Sequence, residues 1–359
     1  MFAGFFQGKR VWVSGHTGFK GAWLTEWLLR LGATVHGYAL APTSYQPLHT
    51  ALRLDARMES EFGDIRDASR VRNSIELFCP DIVLHLAAQP LVRLSYEIPA
   101  ETFEVNLMGT VNVLEALRLR QKPCVAVVVT SDKCYENTET GRAFVESDPM
   151  GGYDPYSASK GVAELAVASY RRAFFAKGSP VALASARAGN VVGGGDFSPD
   201  RIVPDCVRAI LARQPLTVRN RHATRPWQHV LEPLGGYLQL AACLGRAGSA
   251  SAGLRYQEAF NFGPLADSAR PVEDVVKAFF KTWPGEWVDQ TNPDAPHEAG
   301  RLHLDITKAR KVLEWEPVWD FSSTMERTAR WYQAFQQGVA AEKLCAVDIV
   351  AYELASSRN

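Results

Sequence analysis

Residues 10–21 read RVWVSGHTGFKG, and this stretch decides the fold. Arg10 to Ser14 is a short run of β-branched and aromatic residues, which predicts a strand. Gly15-His16-Thr17-Gly18-Phe19-Lys20-Gly21 then sets glycines three apart, at the point where the apolar spacing becomes that of a helix running from Gly21 to Leu31. Small residues at such a turn let the backbone approach a pyrophosphate, and a helix N-terminus stabilises its charge. The spacing is G-x-x-G-x-x-G rather than G-x-G-x-x-G. Taken alone it is also read as a tight turn with close helix packing. Its place on the first of five such strands favours a dinucleotide site, in which all seven residues of the turn except Gly21 are assigned to the cofactor.

Working outward, Thr34 to Leu40, Ile82 to Leu86, Val125 to Thr130 and Val181 to Arg187 read as further buried strands. Ala68 to Phe78, Ala100 to Arg118 and Pro155 to Ala176 carry apolar residues at helical spacing. Alternation of this kind predicts an α/β protein with a doubly wound parallel sheet of Rossmann type, covered on both faces. Residues 1–187 form the expected dinucleotide-binding domain, with a later contribution from about 228–263 that includes a short strand at Phe260 to Gly263. Residues 188–359 make a smaller mixed α/β domain that supplies the substrate walls.

The 359 residues are 47% hydrophobic, ample for a sizeable core. Thirty-nine basic residues balance thirty-nine acidic ones, so no global field favours nucleic acid or an anionic membrane. An anionic ligand needs a local pocket instead. The six cysteines show no C-x-x-C pair and no metal-ligand spacing, which suits free thiols in a reducing cytosol. No apolar run approaches membrane-spanning length. The expectation is a soluble cytoplasmic protein without a metal. His297-Glu298 lacks the H-E-x-x-H pattern of a zinc site.

Tyr156 and Lys160 lie four apart near a helix start and therefore share a face. An ammonium beside a phenol favours phenolate and brings the tyrosine down from about 10 toward neutrality, where it serves as a base. Thr130-Ser131-Asp132-Lys133 delivers a hydroxyl, a carboxylate and an amine to the carboxyl edge of a strand, where open α/β sheets bind ligands. The alternative for this group is a strand-end salt-bridge cluster. Asp64, in Gly63-Asp64-Ile65-Arg66-Asp67, is placed after a third strand to accept from an adenine amino group, or else is a solvated loop residue. Strand 2 ends at Gly37-Tyr38-Ala39-Leu40-Ala41-Pro42 with neither an acid for a ribose 2′-hydroxyl nor an arginine for a 2′-phosphate. These residues choose between NAD and NADP in neither direction.

At these positions the chain resembles the extended short-chain dehydrogenase/reductase family, and within it the 4,6-dehydratases that act on CDP-glucose. The resemblance runs from about Lys9 to Trp331. It rests on Ser14 to Gly21, His85-Leu86-Ala87-Ala88-Gln89-Pro90-Leu91-Val92-Arg93, Thr130 to Tyr135, Asp154 to Gly161, and Arg225-Pro226-Trp227-Gln228-His229-Val230. Its most specific element is Ser131-Asp132-Lys133. Related dehydratases on other nucleotides carry Thr-Asp-Glu there, and epimerases lack the acid/base pair. The departures are the missing acid after strand 2 and a diverged tail beyond Trp331.

The resemblance implies bound NAD, a homodimer built on helices Ala100 to Arg118 and Pro155 to Ala176, and loss of water from CDP-glucose. It implies that Tyr156 takes the 4-hydroxyl proton while Ser131 and Lys160 hold the oxygen. Lys133 stands as base toward carbon 5, and Asp132 as acid toward the departing 6-hydroxyl. A rival division keeps Lys133 protonated throughout as an electrostatic partner. It further implies cofactor contacts at Ile65, Ala87, Ala88 and Gln89. Competing readings are a 4-epimerase or simple dehydrogenase on the same fold, and a regulator that only binds dinucleotide. Asp132 with Lys133 argues against the first, and Tyr156 with Lys160 against the second.

Arg93, Arg187, Arg201, Arg219 and Arg225 are candidates for the substrate pyrophosphate, since guanidinium forks suit phosphate oxygens. Arg219 and Arg225 lead, because they lie in or beside a matched segment. Asn190 is expected to touch the sugar nucleotide or to serve as a strand-end amide. His229 is a substrate candidate against a packed or capping histidine. Trp227 reads as core.

Overall fold

The computed structural model describes residues 1–42, 48–137, 141–176, 178–247, 251–291 and 302–357. Its centre is a seven-stranded sheet whose strands all run parallel. In chain order these are β1 (Arg10–Ser14), β2 (Thr34–Ala39), β3 (Glu59–Phe62), β4 (Ile82–His85), β5 (Cys124–Val129), β6 (Val181–Ala188) and a last strand, Ala259–Phe262. Across the sheet the order is Ala259–Phe262, β6, β5, β4, β1, β2, β3. The winding therefore reverses between β1 and β4, which opens a crevice at their carboxyl ends.

Both faces are covered, which is why β5 and β6 are buried along their whole length and read as nearly unbroken apolar runs. Side chains alternate between two cores. Val11, Val13, Leu84 and Val127 face a core shared with α1 (Phe19–Arg30) and the helices Leu231–Ala247, Phe321–Gln336 and Ala341–Ser356. Trp12, Val83, Ala126 and Val128 face the other, shared with the helices Ala68–Phe78, Gly109–Arg120 and Pro155–Ala173.

The tail beyond Trp331 belongs to the first core. The Trp27 Nε1 donates to Glu353 at 2.8 Å, and the Tyr352 hydroxyl donates to Glu232 at 3.0 Å. Small two-stranded pairings follow β6, among them Thr224–Pro226 with Ala269–Pro271 and Leu216–Val218 with Trp287–Asp289.

The helix expected over Ala100 to Arg118 is instead Pro99–Phe103, a π-helical turn Glu104–Met108, and Gly109–Arg120. The wide turn carries the buried Asn106 inward. Its amide donates to Gln89 O at 3.1 Å and to Ser159 Oγ at 2.9 Å, and accepts from Gln89 N at 2.9 Å. That polar tie to two neighbouring segments explains a departure which the apolar spacing does not record. All six cysteines are free. Among the described residues no helix is long and apolar enough to cross a membrane, and no three His, Cys, Asp or Glu side chains converge as a metal site. His297 and Glu298 lie outside the described residues.

Candidate active site

A cleft of about 1080 Å³ opens at the carboxyl ends of the strands, larger than the roughly 300–1,000 Å³ of a single small-ligand pocket. Its floor begins at the glycine turn. Gly15 has φ +76°, and a Cβ there would meet Ala87 N at 2.8 Å, while a Cβ on Gly21 would meet Gly15 O at 2.0 Å. Gly18 differs, because a Cβ there would touch only Gly15 O, at 3.5 Å, and the residue lines the cleft. Gly18 is also the N-cap of α1 and supplies no side-chain cap, so helix geometry leaves first-turn N–H groups available to an anion. This cradle fits the pyrophosphate of a dinucleotide. Thr17, Phe19 and Lys20 share the wall, with Asp64, Ile65, Ala87 and Ala88 further along. The Asp64 carboxylate is gripped by Arg66, at 3.0 Å from Nε and 2.6 Å from Nη2, which holds it below the usual range.

Two residues assigned to the cofactor stand behind the wall instead. His16 is fully buried, its ring against His49 and Phe62, and burial pushes it down to about 3. Gln89 is occupied by scaffold bonds, its amide donating to Leu91 O at 3.1 Å and Thr102 Oγ1 at 3.0 Å.

The reactive groups meet at the end of β5. Ser131 Oγ donates to Asp132 Oδ1 at 3.1 Å and accepts from Lys133 N at 3.2 Å, and Tyr156 lines the same cleft. Tyr156 stands at the start of the helix Pro155–Ala173, whose N-cap Asp154 accepts from Ser157 N at 2.9 Å and from its hydroxyl at 2.6 Å. That cap fixes the first turn, and Lys160 follows on the same face.

Burial governs the proton affinities. It pushes Asp132 up against the pull of Lys133, Ser131 and Lys20, and pushes Lys160 down to about 8 against Glu164. The Tyr156 hydroxyl goes up to about 12, with Ser131 and Arg201 favouring its ionised form. The downward shift expected of Tyr156 is thus reversed, because desolvation of the phenolate outweighs the neighbouring charge. Lys20, on the opposite wall, is also pushed down to about 8 by burial. Gly189 makes room for the acid, since a Cβ there would lie 2.6 Å from Asp132 Oδ2.

The far wall holds Arg93, Asn190, Arg201, Arg219 and Arg225, all on the cleft. Asp200, which sequence reasoning missed, sits between two of them. One oxygen of its carboxylate is 2.8 Å from Arg219 and 3.7 Å from Arg93. Asp196, also missed, lines the cleft and pairs with Arg201 at 2.7 Å. Polar residues just beyond Gly193-Gly194-Gly195 are the one signal that pointed there.

Arg187 is not on the cleft but buried against Glu164 at 2.8 Å. His229, assigned to the substrate, is a packed residue: it is fully buried between Trp23 and Trp319, its Nδ1 accepts from Leu231 N at 3.3 Å, and burial pushes it down to about 3. Trp227, two residues earlier, is core as its sequence suggested: it is 5% exposed and packs in the first core, its indole donating to Arg270 O at 2.9 Å, with one edge on the cleft.

Comparison with known proteins places this arrangement. The family profile described as GDP-mannose 4,6 dehydratase matches residues 12–328. The CDP-glucose 4,6-dehydratase of Salmonella typhimurium is 47% identical over 340 residues, covering 93% of each chain. The dTDP-glucose 4,6-dehydratase of Streptomyces venezuelae, solved with NAD bound, superposes with a TM-score of 0.77 at 22% identity, over 92% of this chain and 98% of that one. A UDP-glucose 4-epimerase from Thermotoga maritima gives 0.76 at 19% identity, over 91% and 99%. At these identities the structural likeness is one of fold, and it is shared by a dehydratase and an epimerase alike.

Proposed function

The chain belongs to the nucleotide-sugar 4,6-dehydratase family described by the GDP-mannose 4,6 dehydratase profile, and on that footing we propose that it is an NAD-dependent lyase converting CDP-glucose to CDP-4-keto-6-deoxyglucose. One observation carries the reaction type: Asp132 and Lys133 stand with Ser131 on one turn and share the cleft with Tyr156 and Lys160. Epimerisation needs no such second acid/base pair. The nucleobase rests on the relative at 47% identity, whose name specifies CDP-glucose.

The Gly15–Gly21 turn, with Asp64, Ile65, Ala87 and Ala88 beside it, would hold NAD, which would supply hydride acceptance from carbon 4 of the sugar and its return to carbon 6. Tyr156 removes the proton of the 4-hydroxyl, and Ser131 holds the oxygen as it becomes a carbonyl. Arg201 supplies positive charge that favours the phenolate, and Lys160 follows one turn on along the same helical face. The new carbonyl acidifies the hydrogen on carbon 5. Lys133 takes that proton and Asp132, whose carboxyl burial pushes up, gives one to the departing 6-hydroxyl, so that one water leaves. Lys133 returns a proton to carbon 5 at the end. Arg219, Arg225 and Arg93 face the diphosphate, and Asn190 the sugar.

The protein is further read as a homodimer. Supporting this, Val162 and Leu165 on the helix Pro155–Ala173 and Met108 before Gly109–Arg120 are exposed apolar side chains at 37%, 56% and 47%, a face fit for a two-fold helical interface. Six free thiols support a reducing, cytoplasmic setting. The test is incubation with CDP-glucose, UDP-glucose and dTDP-glucose separately, following mass for loss of one water. Dehydration of CDP-glucose at the highest kcat/KM is expected. A product of unchanged mass, or a preference for another nucleotide, overturns the reading.

A further inference from the structure

Behind the reactive residues lies a charged network that the proposed chemistry leaves unused. Glu164 sits one turn beyond Lys160 on the helix Pro155–Ala173 and is 3% exposed. One carboxylate oxygen accepts from the Thr130 hydroxyl at 2.5 Å. The other accepts from the Ser185 hydroxyl at 2.8 Å and from Arg187 Nη2 at 2.8 Å. Arg187 is buried as well, and its second nitrogen donates to the Tyr135 hydroxyl at 2.7 Å and Glu146 O at 3.0 Å. The Tyr135 hydroxyl donates in turn to Asn261 Oδ1 at 2.7 Å. One carboxylate thereby ties the helix of Tyr156 and Lys160 to the last residues of β5 and to β6.

Taking two charges out of water is costly, and an apolar pair of similar volume often stabilises a fold as well or better. A scaffold role alone gives weak reason for an ion pair at this depth. Its placement gives a better one. Thr130 immediately precedes Ser131-Asp132-Lys133, so the bond from its hydroxyl fixes the strand end that presents the acid and base. Lys160 lies on the same helical face at i to i+4 spacing.

We propose that Glu164 is a positioning residue of the reaction: its buried carboxylate, pinned by Thr130, Ser185 and Arg187, stands as the counter-charge to Lys160 one helical turn away and sets the strand end that carries Ser131, Asp132 and Lys133. This rests on the dehydratase reading given above. The groups bearing on Lys160 are Glu164 on its own helix, Cys134 after β5, His85 at the end of β4 and Lys20 on α1. Those bearing on Glu164 are Arg187 from β6, Arg171 from its own helix and Cys134. Burial drives Lys160 down, and Glu164 is the leading influence that opposes it. Arg187 and the hydroxyl bonds outweigh burial at Glu164 itself and keep it ionised.

The test uses Glu164→Gln, and Glu164→Gln with Arg187→Met so that no buried charge is left unpaired. Each protein is labelled with ε-¹³C lysine and titrated by NMR, with Lys160→Met assigning the resonance. An opposite charge within about 4–6 Å is worth about one pH unit or more, so the Lys160 midpoint should fall by about that much in Glu164→Gln and by less in the double variant, where the loss of Arg187 offsets part of it. At pH 8 the ammonium fraction, and kcat with it, then drops roughly fivefold with KM little changed, and near pH 6.5 the variants approach the parent. Glu164→Asp should restore most of the alkaline activity.

An unmoved Lys160 midpoint in a folded variant overturns the proposal. So does failure of both variants to fold, which would assign Glu164 to the scaffold. A parent enzyme that does not dehydrate CDP-glucose sinks the functional reading instead, while the NMR titration still decides the role of Glu164.

Discussion

Replacing Asp132 by Asn together with Lys133 by Met should stop water loss while leaving oxidation at carbon 4 intact. Asn keeps the shape of Asp132 beside Gly189 and removes a carboxyl that burial already pushes toward its neutral form. Met keeps the apolar stem of Lys133, and the backbone bond from Lys133 N to Ser131 Oγ is untouched. The fold should therefore lose no more than about 1 kcal/mol, the scale of one altered hydrogen bond. The rate should respond far more. A positioned acid or base contributes about 100- to 10,000-fold, or about 3 to 5.5 kcal/mol of barrier. Tyr156, Ser131 and Lys160 remain, so the first proton transfer survives. The variant should accumulate the absorbance of reduced nicotinamide on adding CDP-glucose and release almost no product by mass. Dehydration within about tenfold of the parent rate refutes the assignment, because that is less than a positioned acid or base supplies.

Tyr156→Phe should differ by losing every step: product formation falls at least about 100-fold and no reduced-nicotinamide absorbance develops, and absorbance persisting at parental amplitude would remove Tyr156 from the first step. With the parent, reduced cofactor should never accumulate in proportion to product, and stoichiometric accumulation would show an ordinary dehydrogenase. Glu232 is fully buried and burial pushes it from 4.5 up to about 7, which amounts to about 3 kcal/mol. Because the folded value is the higher, this cost is absent below about pH 4.5, grows through the interval and is complete above about pH 7. Glu232→Gln should thus raise the Tm by several degrees at pH 8 and far less at pH 5, and an equal shift at both would refute the account. Leu165→Glu should convert a dimer to monomer by light scattering, and a monomeric parent would dismiss the interface.

Much of this was legible in the sequence, for reasons that differ by element. β1, β4, β5 and β6 announce themselves because strands covered on both faces are largely apolar. Tyr156 and Lys160 were legible because helical spacing alone puts them on one face. Side-chain direction at strand ends was not legible. His16 and Gln89 share segments with true wall residues, yet a one-residue step along the chain turns them into the core. His229, two residues beyond Trp227, is likewise buried in the core. Spacing also indicated that Lys160 would lower Tyr156, but the outcome depends on how much water the folded cleft excludes, a tertiary quantity. Asp200 escaped notice because its partners Arg93 and Arg219 are distant in sequence and come together only in the fold.

The three glycines of the first turn are unequal as targets for mutagenesis. A methyl at Gly15 or Gly21 collides with backbone, at 2.8 Å and 2.0 Å, so a variant there perturbs the join between β1 and α1 and reports on folding whatever happens to ligand. A methyl at Gly18 meets only one carbonyl oxygen, at 3.5 Å, and otherwise projects into the cleft. Gly18→Ala is consequently the substitution that separates nucleotide affinity from architecture: the turn should fold unchanged, with the new carbon standing where a phosphate oxygen would otherwise approach the helix N-terminus.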